Sequence, residues 1–223
     1  MVRTLPLALL PAAGFVALAS HLGAGSPLQA RDEAFTRAVG EHTPAFVHTA
    51  CGWLTHLGDP PVLWAIGAVV ALWLLMHAHR ELMVVWIAAL LGNGLLTRLL
   101  KAVFERARPL IDGLPGPAHG YSFPSGHSSA SLVAYGMLAY LAWRLAEPSR
   151  RWPLAIAAGL IVFCVACSRI VLQVHYASDV LGGLCVGLAW MLACTGTAQW
   201  LRTRLGQGRA GSAFAKNDSS RIG

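Results

Sequence analysis

Apolar stretches of about 17–20 residues, the length that crosses a bilayer core, recur along the chain between short polar breaks. Six are predicted as transmembrane helices: Leu5–His21, Pro61–His77, Leu82–Leu100, Ser128–Leu145, Trp152–Val171 and Ser178–Leu201. The first has a second reading. Arg3, an apolar run and Ala17-Leu18-Ala19 before Ser20 have the form of a secretory signal with its cleavage site. A retained helix is expected instead, because five further spans follow and none needs a cleaved leader. Either outcome leaves the other helices oriented the same way.

The breaks carry their own signals. Between the first two spans, Ala30–Val39 sets Phe35 and Val39 among Arg31, Asp32, Glu33 and Arg37, the pattern of an amphipathic helix lying on a surface. It reads as a plain connector or as a lid or lipid entrance. Gly58-Asp59-Pro60-Pro61 is a turn signal, and the prolines suit the first turn of the next helix, whose amides lack intrahelical partners. Leu110–Ser122, with Asp112-Gly113, Pro115-Gly116-Pro117 and Gly120, is expected as an irregular loop at the mouth of a site. Glu147–Pro153 is predicted as a short cytoplasmic turn. The tail from Gly206 is rich in Gly, Ser and charge and reads as disordered. The expected organisation is therefore one transmembrane domain over 1–205 and a disordered cytoplasmic tail over 206–223.

Composition agrees with the spans. Of 223 residues, 56% are apolar and only 12% charged, too greasy for an ordinary soluble domain. The formal charge of +7 would point to nucleic acid only if it formed a soluble basic patch. The cations sit instead in loops and at helix ends, which suits anionic headgroups, and no nucleic-acid partner is expected. With six spans, the termini, Arg80 and the Arg144, Arg150 and Arg151 loop share one side and the larger share of Lys and Arg. The positive-inside rule then places both termini in the cytoplasm of a plasma-membrane protein. Four of the five cysteines lie inside spans and read as small apolar packing residues, Cys164 and Cys167 among them.

What remains is three polar clusters at the ends of apolar stretches, all on the outward face under this topology. The third holds Ser168-Arg169 with His175 and Asp179. Four residues apart on a helix, His175 and Asp179 share a face, and a carboxylate on one imidazole nitrogen raises the nucleophilicity of the other. Arg169 can reach an anion held in front of His175. The second, Pro124-Ser125-Gly126-His127, directly precedes an apolar run. A helix N-terminus offers free amides and a positive dipole end to phosphate. Gly126 allows close backbone approach, Ser125 adds a hydroxyl, and His127 suits a general acid. Ser128 and Ser129 are expected to cap or pack. The first cluster runs from Lys101 to Arg108-Pro109. Two helical turns separate its cations, so both point the same way if the helix continues that far. Arg98 and Arg106 fit snorkelling cations at the interface.

In order, the clusters spell Lys-x6-Arg-Pro, Pro-Ser-Gly-His and Ser-Arg-x5-His-x3-Asp. This resembles the signature of the type 2 phosphatidic acid phosphatase superfamily, with no departure at its defining positions. The resemblance implies an all-α, six-helix integral-membrane bundle with its active site at the outer membrane–water interface. It implies His175 as nucleophile forming a phosphohistidine, Asp179 holding it, and His127 as acid and then base. Lys101, Arg108, Arg169, Ser125 and Gly126 would hold the phosphate, with no cofactor and no metal. The expected activity is hydrolysis of a lipid-linked phosphate or diphosphate, such as undecaprenyl diphosphate or a phosphatidate-like or phosphatidylglycerol phosphate-like lipid. Transfer of the phosphoryl group to another lipid or sugar is the alternative. A non-enzymatic anion transporter or scaffold fits the complete His175, Asp179 and His127 set less well. Oligomeric state is not readable.

Overall fold

The computed structural model describes residues 4–23, 25–109 and 120–219, with side chains described as far as Arg204. Every regular element among these residues is a helix. Thr4–Leu7 (α1) and Leu9–Ala19 (α2) form the first apolar segment, followed by Pro27–His42 (α3) and Ala45–Leu54 (α4). A 3₁₀ turn, Thr55–Gly58, leads into Pro60–Met76 (α5), then Arg80–Phe104 (α6), Gly126–Leu145 (α7), Pro148–Val171 (α8) and Ala177–Ser219 (α9).

The predicted apolar runs are all helical, but they differ in how they meet the membrane criterion. Arg80–Phe104, Pro148–Val171 and Ala177–Arg204 are long and apolar enough to cross a bilayer. A fourth crossing arises if Ala45–Gly58 and Pro60–Met76, bent by 42° at Asp59, form one broken span. That crossing begins well before the predicted Pro61. The protein is thus a membrane protein with three or four such spans among the described residues. The α7 helix misses the criterion for a physical reason. It is the central helix, packed against α6, α8 and α9. Surrounded by protein, it carries buried Ser128, Ser129 and Ser131 instead of lipid-facing apolar residues.

Two apolar clusters hold the bundle. Leu74, Leu82, Trp86, Ala89, Val133 and Met137 join α5, α6 and α7, and the Trp86 indole donates to the Gly67 carbonyl at 3.0 Å. Leu63, Ala134, Tyr135 and Ala158 join α5, α7 and α8. Fully burying side chains of this size contributes about 1.5–3 kcal/mol each in water. Glycines set the approach of α9 to α7. A Cβ at Gly183 would lie 2.5 Å from the Ser125 carbonyl oxygen, and one at Gly187 2.9 Å from that of Ser129. Small residues at this four-residue spacing let helix backbones touch in membranes. Here the contact brings the start of α9 against the start of α7, and the Ser125 amide donates to the Asp179 carbonyl at 2.9 Å.

Two expectations change. The predicted turn Glu147–Pro153 is mostly helix, because Pro148 at the first helical position loses no bond there. The amphipathic segment is a longer helix than Ala30–Val39, and its buried residues are Asp32 and Thr36, while Phe35 is exposed. Ser26 caps it, accepting from the Gln29 amide at 3.2 Å. The helical backbone of α9 runs across the boundary expected at 205–206, and most of the loop expected over Leu110–Ser122 lies outside the described residues.

Candidate active site

The three sequence clusters meet at one end of the bundle, by routes that differ from those the spacing predicts. In the first, α6 stops at Phe104, and Glu105 takes a left-handed conformation with φ of 45°. Lys101 and Arg108 are therefore not aligned along one continuing helix. They converge through backbone carbonyls of the segments that lead into the other clusters. Lys101 Nζ donates to the Tyr121 carbonyl and, at 3.3 Å, to that of Ser122. Arg108 donates to the Gly120 carbonyl at 3.1 Å and the Val174 carbonyl at 2.8 Å.

The second cluster starts α7. Ser125 is the N-cap, and its hydroxyl accepts from the Ser128 amide at 3.4 Å and the Ser128 hydroxyl at 3.0 Å. Ser125, Ser128 and Ser129 are all buried, with the Ser129 hydroxyl donating to Asn93 Oδ1 at 2.6 Å. Ser128 and Ser129 pack and pair as expected, whereas the buried Ser125 hydroxyl, expected to face phosphate, is engaged in the cap. A Cβ at Gly126 would lie 4.0 Å from Lys101 Cε, so the amide end of α7 sits beside that ammonium. His127 Nε2 lies 2.8 Å from Asp59 Oδ1, a partner from the turn before α5 that the sequence reading passed over.

In the third cluster His175 stands in the turn before α9, which starts only at Ala177, so it does not share a helical face with Asp179. The two meet by a cap. Asp179 is the third helical residue, and its Oδ2 accepts the Tyr176 amide at 2.9 Å, the reach-back half of a capping box. That same oxygen lies 3.5 Å from His175 Nδ1, ion-pair contact rather than a short hydrogen bond, and accepts the Ser122 hydroxyl at 2.5 Å. On the other side, His175 Nε2 lies 3.2 Å from an Arg108 guanidinium nitrogen. A guanidinium can only donate, so Nε2 is the lone-pair nitrogen and Nδ1 carries the hydrogen toward Asp179. Burial, first of all, pushes His175 down to about 4, opposed by Asp179 and reinforced by Arg108 and Arg169. It is a neutral imidazole at pH 7.

Arg106 corrects the sequence reading most sharply. Taken there as a snorkelling bystander, it is partly buried between two carboxylates, 2.6 Å from Asp179 Oδ1 and 2.8 Å from Asp32 Oδ2. It also donates to the Ser178 hydroxyl at 2.6 Å and stacks over the Tyr176 ring. Ser178 in turn donates to Asp32, and Gln173 donates to the Thr36 carbonyl at 2.9 Å, so α3 is tied directly to the His175 turn. Two sequence features carried the signal: an acid on an otherwise surface helix, and an odd cation inside Lys-x6-Arg-Pro. Arg98, by contrast, is exposed.

Arg169 is buried, donates to the Thr55 hydroxyl at 2.5 Å and leaves Nε without a partner among the described residues. A buried unsatisfied donor is costly, and an incoming anion can satisfy it. Lys101 and Arg169 thus donate to neutral oxygens, and the Arg108 guanidinium stands beside them against His175. Among the described residues no three His, Cys, Asp or Glu side chains form a cage for a metal ion. A cleft of about 220 Å³ runs between α5, α6 and α7, with Leu63, Trp64 and Leu90 along its wall and Lys101, Gly126 and His127 at the polar end.

Comparison with known proteins shows the family of the chain. Residues 81–203 match the model of the PAP2 superfamily. The chain is 30% identical over 175 residues to phosphatidylglycerophosphatase B of Bacillus subtilis, covering 78% of this chain and 84% of that protein. It is 31% identical over 148 residues to decaprenylphosphoryl-5-phosphoribose phosphatase of Mycobacterium tuberculosis, covering 65% of this chain and 76% of that one. Among solved structures, the transmembrane PAP2 type phosphatidylglycerolphosphate phosphatase from Bacillus subtilis superposes with a TM-score of 0.77 at 27% identity, over 86% of this chain and 96% of the other. Aquifex aeolicus LpxE shares the fold, with a TM-score of 0.58 at 21% identity over 72% of this chain and 92% of the other. Its match to the family model spans all three clusters that the fold gathers at one end of the bundle, and this chain belongs to the PAP2 superfamily.

Proposed function

We propose that the protein is an integral-membrane phosphatase that hydrolyses a lipid-linked phosphate through a phosphohistidine. The observation that carries this is His175: buried, neutral, with Asp179 on Nδ1 and a guanidinium in front of its lone-pair Nε2. A phosphoryl group entering there presents its oxygens to Lys101, Arg108 and Arg169. The Nε2 lone pair attacks phosphorus, the bond to the leaving oxygen breaks, and His127 gives that oxygen a proton. Water then attacks the phosphohistidine, His127 takes its proton, and inorganic phosphate leaves. The fixed cations and the amide end of α7 stabilise charge on the equatorial oxygens, where losing one such donor commonly costs about 2.7–4 kcal/mol. Asp179 stabilises the imidazolium that forms on attack.

The substrate class follows from the membrane setting and the relatives. Their names specify phosphatidylglycerophosphate and decaprenylphosphoryl-5-phosphoribose, both lipid-linked phosphates. The cleft between α5 and α6 offers an apolar wall for a chain whose headgroup reaches His127. Phosphatidylglycerol phosphate-like lipids lead on likeness, and undecaprenyl diphosphate on an outward-facing site. The topology that goes with this reading has six crossings, with α1 and α2 together and central α7 added to the four candidates. Both termini are cytoplasmic in the plasma membrane, and His175 faces outward. The test is phosphate release by the purified protein from phosphatidylglycerol phosphate, phosphatidate, undecaprenyl diphosphate and a soluble ester. His175→Ala is expected to abolish release while still inserting, and full activity in that variant sinks the covalent mechanism.

A further inference from the structure

Asp59 lies outside all three sequence clusters, yet it holds one of the two histidines on which the proposed reaction depends. It sits at the 42° break between the 3₁₀ turn and α5. Its Oδ1 is 2.8 Å from His127 Nε2, and its Oδ2 is 2.6 Å from His56 Nδ1. The turn that presents it is fastened on three sides. The Tyr135 hydroxyl donates to the Leu57 carbonyl at 2.8 Å, and Arg169 donates to Thr55 at 2.5 Å. Gly58 presses so close that a Cβ there would meet Val165 at 2.6 Å and His127 Cδ2 at 3.2 Å. Pro60 and Pro61 then start α5 directly after the carboxylate. Side chains of α7 and α8 therefore fix where Asp59 stands relative to His127.

We propose that Asp59 is a positioning residue for His127, orienting its ring and fixing the tautomer in which Nε2 carries hydrogen and Nδ1 exchanges protons. The inference rests on the phosphatase reading above. A carboxylate accepts only, so the 2.8 Å contact requires hydrogen on Nε2 while Asp59 is ionised. Nδ1 makes no hydrogen bond among the described residues. The first step draws on the protonated form of His127, which the Asp59 carboxylate favours. Its Nδ1 proton passes to the leaving oxygen as the P–O bond breaks, leaving neutral imidazole with Nε2–H still on Asp59. In the second step Nδ1 takes a proton from the attacking water as the P–N bond breaks, and the imidazolium is restored. The site then contains two carboxylate–histidine pairs, one for the nucleophile and one for the acid.

The test uses the full chain in detergent micelles and two synthetic substrates: a long-chain alkyl phosphate, and a 4-nitrophenyl phosphate carrying the same chain. The alkoxide of the first needs a proton to leave, and the nitrophenolate of the second does not. General acid catalysis is commonly worth about 10²–10⁴-fold, so Asp59→Asn is expected to lower kcat/KM for the alkyl ester by roughly 10²-fold. The loss on the aryl ester is expected to be at least tenfold smaller. Asp59→Glu, which keeps the charge, should recover part of the alkyl activity. In a His127→Ala background, Asp59→Asn should cost almost nothing further, since residues acting through one another are not additive. Equal losses on both esters, or a full additional loss in the His127→Ala background, overturn the proposal. Wild-type protein inert on both esters overturns the phosphatase reading itself. If Asp59→Asn does not fold, comparison of Asp59→Glu with wild type on the two esters decides by the same criterion.

Discussion

The two carboxylate–histidine pairs differ in exposure as their proposed tasks differ. Asp179 is fully buried, and its oxygens take donors from Arg106, Ser122 and the Tyr176 amide, with His175 alongside. Asp59 is part exposed, its side chain at 31%, and binds two imidazoles. A nucleophile has to be stripped of water and kept neutral, whereas an acid that becomes a base must exchange protons at every turnover. Rigidity serves the first and access the second. The comparison locates the stored order of the site in the Asp179 network, and its proton traffic in the Asp59 turn.

The largest expected effects strike the buried pair. His175→Ala should reduce phosphate release to background, a fall of about 10⁴-fold or more, the scale on which removal of a covalent nucleophile acts. Asp179→Asn keeps the shape but permits the wrong tautomer, with an expected loss of about 10²–10⁴-fold in kcat by steady-state assay. Next comes Arg106→Ala. It leaves Asp179 and Asp32 buried without their shared cation, and breaking a buried pair commonly costs about 3–5 kcal/mol, visible as a lowered thermal midpoint. Arg106→Lys should recover less than half of that, because one ammonium cannot reproduce the guanidinium fork. A midpoint unchanged in Arg106→Ala would return Arg106 to the interfacial role its sequence context suggested.

The pH dependence sharpens the contrast. His175 is lowered to about 4, so the nucleophile is lost by protonation as pH falls through that region, and is present above it. The acid limb of kcat/KM, corrected for substrate ionisation, should lie below the ordinary imidazole value of about 6.5. Asp179 opposes the lowering, so Asp179→Asn should move the limb to still lower pH while reducing the rate. A limb at or above the ordinary value would contradict the buried neutral His175. The smallest effect is expected from exposed Arg98: Arg98→Ala should change stability by no more than about 0.5 kcal/mol.

The difference between the pairs also marks how far the site was legible. His175 and Asp179 are i and i+4, and a short interval leaves the chain few ways to keep them apart. They meet even though the geometry is a cap and not a helical face. His127 and Asp59 are 68 residues apart, and Gly-Asp-Pro-Pro reads as a turn whether or not its carboxylate has a partner. Arg106 was misread for a related reason. A cation near a membrane interface has snorkelling as its default, and only the docking of Asp32 on α3 supplies the alternative.

Apolar length and the order of three motifs determined, from sequence alone, a helical membrane protein of this family and the residues of its expected phosphate chemistry. Those are properties of composition and short intervals, which survive without knowledge of distant contacts. Only the tertiary structure decided that α6 stops before Arg108, that Gly183 and Gly187 bring α9 against α7, and that Asp32 and Asp59 enter the site. Each depends on which helices touch. Helix contact is set by packing between distant segments, and no local pattern encodes it.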